Sequence, residues 1–298
     1  MSLKAVIGLA TMTLFGLTIL SLWFVSPQED FRPENHNWNG LTDLQGKYQV
    51  EPLEQGLPLS QLTGNSLIIS IPYLEPTTEE VAELRSYVEE GGVLIIADDH
   101  RFGNKILRGL EVDARFHGDS LVDPLFNYGY KEFLLINDIR PSPLTTNVSS
   151  LKLNYATVLE IENGIVAANS SSFSFIDSNL DSVRQEEERI GPFPVIAHFG
   201  IGDGKLILIS DPSIFINGMI EQNNNPEFLF NLFRTAGPDA TVYLQMDHLP
   251  KSLLIEGKEL LVRIRSWTSG PTQIMAITLI IIAVLLYPIW KKGGGSLD

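Results

Sequence analysis

The chain is apolar at both ends and changes texture in between. From Ala5 to Val25 it carries no charge (AVIGLATMTLFGLTILSLWFV), close to the ~20 residues a helix needs to cross a bilayer. A second uncharged stretch runs from Ser266 to Trp290. Its heart is IMAITLIIIAVLLYPIW, and Trp267, Tyr287 and Trp290 stand where interfacial aromatics belong. The pattern predicts membrane-spanning helices over 5–25 and 271–290. A cleaved signal peptide competes for the first stretch. Its apolar core would be shorter and end at a small-x-small site, whereas this one runs into Trp23-Phe24-Val25-Ser26-Pro27. For the second stretch, apolar residues on every face argue against a helix of a water-soluble domain.

Residues 28–265 read as one α/β domain. Ser66–Ile71 (SLIISI) is a continuous apolar run, as in a strand buried on both faces. Pro76-Thr-Thr-Glu-Glu80 opens a helix, with Thr77 as cap and Glu80 three residues on. Val81, Leu84, Tyr87 and Val88 recur at helical spacing, and Gly91-Gly92 ends the run. Val93–Ala97 (VLIIA) is a second buried strand. Strand, helix, strand with short turns predicts a parallel sheet with a right-handed crossover. Further strands are predicted at Tyr48–Leu53, Phe133–Ile136, Thr157–Ile161 and Gly164–Ala168. Phe193–Phe199 and Lys205–Ile209 flank a glycine-rich turn that reads as a hairpin. A phosphate loop would need Gly-Lys-Ser/Thr and a following helix. Asn225-Pro226 opens a helix, Thr241–Gln245 is expected to close the sheet, and Lys251–Arg265 to form a stalk helix. The stretch near Asp113–Asn154 reads as irregular, an insertion.

Charge narrows the partners. The net charge of −15 argues against nucleic acid and anionic lipid, since both need a basic surface. The absence of cysteine excludes disulfides, thiolate metal sites and a cysteine nucleophile. Lys4 precedes the first span and Lys291-Lys292 follow the second, which places both ends in the cytoplasm and the domain outside; Arg263 and Arg265 work against this. The expectation is a two-span protein of the cell membrane with membrane or envelope protein partners. Asn147-Val-Ser149 and Asn169-Ser-Ser171 fit the N-glycosylation sequon, which suits an external domain.

In a parallel sheet, ligands bind beyond the carboxyl ends of the strands. Asp98-Asp99-His100 follow one strand, and Gly103-Asn104 open the next helix. Ser210-Asp211-Pro212-Ser213 follow another, with Asn217 beyond, and Tyr73, Asn37 and Asn39 fall at further turns. A polar ligand site would comprise Asp98, Asp99, His100, Asn104, Asp211 and Asn217. The competing reading is that these residues cap the helices after each strand. Ser213, His100 and Asp211 supply the residue types of a hydrolytic triad, without the Gly-x-Ser-x-Gly turn that exposes a nucleophile. The five histidines have no zinc-site spacing. Asp177, Asn179, Asp181, Val183 (through its carbonyl) and Glu188 fall at positions 1, 3, 5, 7 and 12 of a calcium-loop pattern. Ser182 stands where that pattern has glycine, and Arg184 where it has an apolar residue. The expectations are a structural Ca2+ or an acidic surface loop.

Three segments resemble an uncharacterised family of membrane-anchored proteins that carry a domain of unknown function. They are Gly91–Asp99 with Gly103-Asn104, Asp123-Pro-Leu-Phe126, and Gly204–Asn217. The resemblance spans most of residues 35–245. It implies a class I glutamine-amidotransferase-like (flavodoxin-like) fold, a mostly parallel sheet flanked by helices. Related domains occur in gliding-motility transporter subunits and intraflagellar-transport proteins, where the fold serves binding and assembly. True amidotransferases use a cysteine on a sharp turn, which this chain lacks. The expected function is a membrane-tethered, extracytoplasmic binding or assembly module without conventional catalysis. The alternative is a divergent extracellular hydrolase of a glycan or peptide, with His100 as base.

Overall fold

A computed structural model describes residues 2–53, 57–62 and 65–268, together with 270, 273, 275, 278 and 279. The chain divides into two compact units. One contains helix α1 (Leu3–Phe24) and the helix Leu253–Thr268. Among the described residues, α1 is the one helix long and apolar enough to cross a membrane, over Val6–Phe24, a property shared by membrane anchors and signal sequences. Thr11, Thr13 and Thr18 return their hydroxyls to the carbonyls four residues earlier, so these polar atoms are satisfied within the helix. Of the predicted span over 271–290 only residues 273, 275, 278 and 279 are described, and the rest of it lies outside the described residues. Within this unit the Leu253–Thr268 helix lies against α1 at Gly257, where a Cβ would come within 3.2 Å of Leu22.

The other unit, Gln28–Pro250, is a mixed α/β domain. Its main sheet has eight strands. They are β1 (Glu51–Leu53), β2 (Ser66–Ser70), β3 (Val93–Ala97), β4 (Asp138–Ile139), β5 (Ile165–Asn169), β6 (Pro194–Ile201), β7 (Gly204–Ile209) and β8 (Thr241–Gln245). The order is β1-β8-β2-β3-β7-β6-β5-β4. The pairings from β1 through β7 are parallel, and the remaining ones antiparallel. Every residue of β2 and β3 is buried, because the alternating side chains feed two cores. Ile69, Ile95 and Ile207 enter one, with Leu44 of α2 (Thr42–Tyr48). Ile68, Leu94 and Leu206 enter the other.

Helix α3 (Thr78–Glu89) begins where the sequence places it. Thr77 Oγ1 accepts the Glu80 amide and the Glu80 carboxylate accepts the Thr77 amide, a complete capping box. Thr77→Ala should lower stability by about 1 kcal/mol, and Tm by roughly 2–4 °C in a domain of this size, read by thermal melting. Val81, Leu84, Tyr87 and Val88 of α3 pack beside Ile106 and Leu107 of α4 (Asn104–Gly109). On the opposite face α5 (Asn225–Phe233) buries Phe228, Leu229 and Leu232.

The glycine-rich turn is a hairpin between β6 and β7. Its glycines permit close approach to the end of α3: a Cβ on Gly204 would lie 2.1 Å from the Val88 carbonyl oxygen. The Asp203 amide donates to the Glu89 carbonyl at 3.1 Å.

Three expectations shift. Only Glu51–Leu53 of the predicted strand Tyr48–Leu53 is extended, because α2 continues to Tyr48 and ends at Gln49 with φ 54°. Thr241–Gln245 does not close the sheet: β1 adds to its outer side, pairing Glu51 with Tyr243. The Asp113–Asn154 stretch is not irregular but builds short antiparallel pairs, among them Ala114–Phe116 with Leu159–Ile161 and Phe133–Ile136 with Leu151–Asn154.

Candidate functional site

Strands β3 and β7 run parallel in register, Ala97 beside Ile209, so the residues after them emerge at one edge. Asp98 sits there with its own amide on the Ile209 carbonyl. Its carboxylate is buried and accepts the His100 amide at 2.7 Å and the Gly103 amide at 2.6 Å. Burial pushes its pKa up to about 6, against the pull of those two amides. Asp99 is also raised by burial, opposed by His100, whose Nε2 lies 3.4 Å from Asp99 Oδ1. Asp211 is 0 % exposed and caps the turn Pro212–Phe215 through the Ser213 amide at 2.7 Å. Its other oxygen accepts the Asn154 amide. Burial pushes Asp211 up to about 7; the Asn154 amide resists and the Asp99 charge adds to the rise.

Tyr73, just beyond β2, completes the edge. Its phenol is raised far above the usual range, by burial first and then by Asp99, Asp30, Asp211 and Asp98. Its ring lies 5.6 Å from that of His100 and 5.5 Å from that of Phe31. Asp98, Asp99, His100 and Asp211 thus gather at one rim, as the strand order requires. Asn104 and Asn217 do not present free side chains there. Asn104 pairs both polar atoms of its amide with the backbone of Phe116, at 2.8 and 2.9 Å. Asn217 accepts the Asp43 amide at 2.8 Å and donates to the Asn37 carbonyl at 2.6 Å, tying the N-terminal loop to the start of α2. Asn39 donates to the Gln28 carbonyl.

An aromatic wall flanks the rim and was missed by sequence reasoning. Tyr128, Tyr130 and Tyr155 surround Phe133 with ring separations of 5.4, 5.2 and 5.7 Å. Tyr130 and Tyr155 are 68 % and 56 % exposed. Tyr128 is raised by burial and then by Asp211, and the amide of Asn154, the residue before Tyr155, donates to Asp211, which ties the wall to the carboxylates. The residues are scattered over a stretch read as irregular; the signal was the density of Tyr and Phe between 126 and 133.

The predicted calcium loop folds on itself. Asp177 accepts the Leu180 and Ser182 amides, both at 2.8 Å. Asp181 accepts the Val183 amide at 2.8 Å and the Gln185 side chain, and Glu188 accepts the Ser178 and Gln185 amides. The Val183 amide is the largest cause holding the Asp181 carboxyl below its ordinary value. Asp177, Asn179, Asp181, Val183 and Glu188 thus share one loop whose carboxylates accept its own amides; among the described residues no group of three or more His, Asp or Glu side chains gathers as a metal site.

The family model for DUF4350, a domain of unknown function, matches residues 37–233. The chain belongs to the DUF4350 family. The DUF4350 region contains the carboxylate rim, the aromatic wall and seven of the eight main strands. No curated protein matches the sequence. Among solved structures, the mmIFT52 N-terminal domain is similar in fold, with a TM-score of 0.56 and 16% identity over 70% of this chain and 93% of that one. A catalytic mutant of Gan42B, a GH42 β-galactosidase from G. stearothermophilus, scores 0.33 at 16% identity over 56% of this chain, which spans 21% of the enzyme. The cytoplasmic protein STM1381 from Salmonella typhimurium LT2 scores 0.36 at 13% identity, over 60% of this chain and 75% of that one. Scores of that size carry no argument for this DUF4350 chain.

Proposed function

We propose that this DUF4350 protein is a membrane-tethered, extracytoplasmic binding or assembly module on a glutamine-amidotransferase-like (flavodoxin-like) sheet. In this reading it is held by spans over 5–25 and 271–290 and engages membrane or envelope proteins. One observation carries the non-catalytic part. The carboxylates of Asp98 and Asp211 are buried and already hydrogen-bonded to the backbone amides of the loops they cap. Groups so engaged build a rim instead of meeting a substrate. The exposed rings of Tyr130 and Tyr155 supply contact area beside that rim, of the kind enriched at interaction hot spots.

The test is gentle detergent extraction of the full-length protein from its own membranes, capture, and mass spectrometry of what accompanies it. The expected result is a reproducible set of membrane or envelope proteins, reduced at least tenfold by the double change Tyr130→Ala and Tyr155→Ala. Undiminished capture by that variant would remove the aromatic wall from the proposal. The 3.4 Å contact between His100 and Asp99 favours the hydrolase as a second reading. Turnover of an ester, glycoside or peptide panel, abolished by His100→Ala, would put the hydrolase in place of the assembly module.

A further inference from the structure

We propose that Asn147 carries an N-linked oligosaccharide and that Asn169 does not; this rests on the extracytoplasmic placement proposed above. Both asparagines satisfy the Asn-x-Ser sequon, and the structure separates them. Asn169 ends β5 with 9 % exposure, between Asp138 of β4 and Pro194 of β6. Its Nδ2 donates to Asp138 Oδ2 at 3.0 Å. A sugar on that nitrogen would have to displace the Asp138 carboxylate and open the packing around a side chain that is buried at the end of β5.

Asn147 has the opposite setting. It is exposed, and its side-chain amide makes no hydrogen bond among the described residues. Its φ is 59°, a left-handed conformation that asparagine tolerates better than most residues. The turn around it is anchored on both sides. The Asn231 side chain donates to the Thr146 carbonyl at 2.8 Å, and the Ser149 amide and hydroxyl both donate to Asn224 Oδ1. The backbone is therefore held while the amide projects outward. Asn147 also borders a groove of about 470 Å³ lined with Tyr48, Pro226, Glu227 and Phe230. Phe230 is 54 % exposed there, an apolar face against which the ring hydrogens of the first sugar can pack.

The donor is a lipid-diphosphate-linked oligosaccharide, used by a membrane transferase on the outer side. Asn147 Nδ2 attacks C1 of the first sugar. The C1–N bond forms and the C1–O bond breaks, its electron pair leaving on the lipid diphosphate; the amide gives up one proton. The hydroxyl of Ser149 marks the acceptor, yet in the folded domain it is engaged by Asn224. Transfer thus precedes the seating of this turn, and the finished glycan remains compatible with the fold at Asn147 alone.

The test uses full-length protein from its own membranes, with intact-mass and peptide mass spectrometry, beside protease treatment of intact cells. The expected result is an Asn147 peptide heavier by a series of sugar residues and an unmodified Asn169 peptide. Asn147→Gln and Ser149→Ala should each abolish the added mass, while Asn169→Gln leaves it. A domain digested from outside with a bare Asn147 peptide would overturn this proposal and leave the placement standing. A domain protected from outside protease, with Asn147 bare, would overturn both. A sugar on Asn169 of the folded protein would overturn the distinction drawn between the two sites.

Discussion

Asp211→Ala will lower the melting temperature of the protein by roughly 10 °C at pH 5.5. The carboxyl group is fully buried and is the acceptor for the Asn154 and Ser213 amides. Alanine leaves two buried donors without a partner, at about 1–3 kcal/mol each. In a domain of this size each kcal/mol moves Tm by roughly 2–4 °C. Asn154 lies in the Phe133–Asn154 pairing and Ser213 in the turn after β7, so the loss disconnects the aromatic wall from the sheet edge. His100→Ala, with its half-exposed side chain, should move Tm by no more than about 2 °C. An Asp211→Ala variant that melts with the parent at pH 5.5 would show that the carboxyl group is not a structural acceptor.

The protein should also be more stable at pH 5 than at pH 8, by roughly 3 kcal/mol. Asp98 rises from 3.8 to about 6 and Asp211 from 3.8 to about 7, burial being the main cause in both. Between those values the folded state holds protons that the unfolded state has released, so stability falls as pH rises. The contribution is fully present below about pH 3.8 and lost as pH passes through 6 and then 7. His198 opposes it, because burial lowers its pKa from 6.5 and costs stability as pH falls below that value. Glu80 and Glu160 are lowered from 4.5 and act below the window, so they do not reverse the trend. Thermal melts between pH 5 and 8 read the slope. Asp211→Asn should flatten it by more than half, since the group with the larger rise no longer ionises. A Tm that climbs toward pH 8 would mean that these carboxyls ionise at ordinary values.

Both effects centre on residues visible before the fold was known. Asp98, Asp99, His100 and Asp211 follow two uninterrupted apolar strands, and parallel strands place their carboxyl ends together. The capping alternative was legible too: Asp211 realises it through the Ser213 amide, while Asp98 holds the loop before α4 through the His100 and Gly103 amides. Asn104 and Asn217 have the same residue chemistry, but their partners, Phe116 and Asp43 with Asn37, lie on other elements. No spacing in the chain announces those contacts. The Asp177–Glu188 loop likewise makes contacts that spacing alone does not announce. Its oxygen spacing matches a calcium loop, yet the nearest donors are its own amides, and these engage the carboxylates.

By itself the sequence determined the local elements: the apolar N-terminal helix, the capped start of α3, the buried strands β2 and β3, and the glycine hairpin. Each follows from short-range chemistry, whether side-chain period, a cap three residues from its partner, or a turn that only glycine permits. The tertiary structure decided the rest. It placed β1 outside β8, brought Asn154 onto Asp211, assembled four aromatic rings from a stretch with no period, and separated Asn147 from Asn169. Those outcomes depend on which surfaces meet, and residues far apart in the chain meet only when burial of the two cores brings them together.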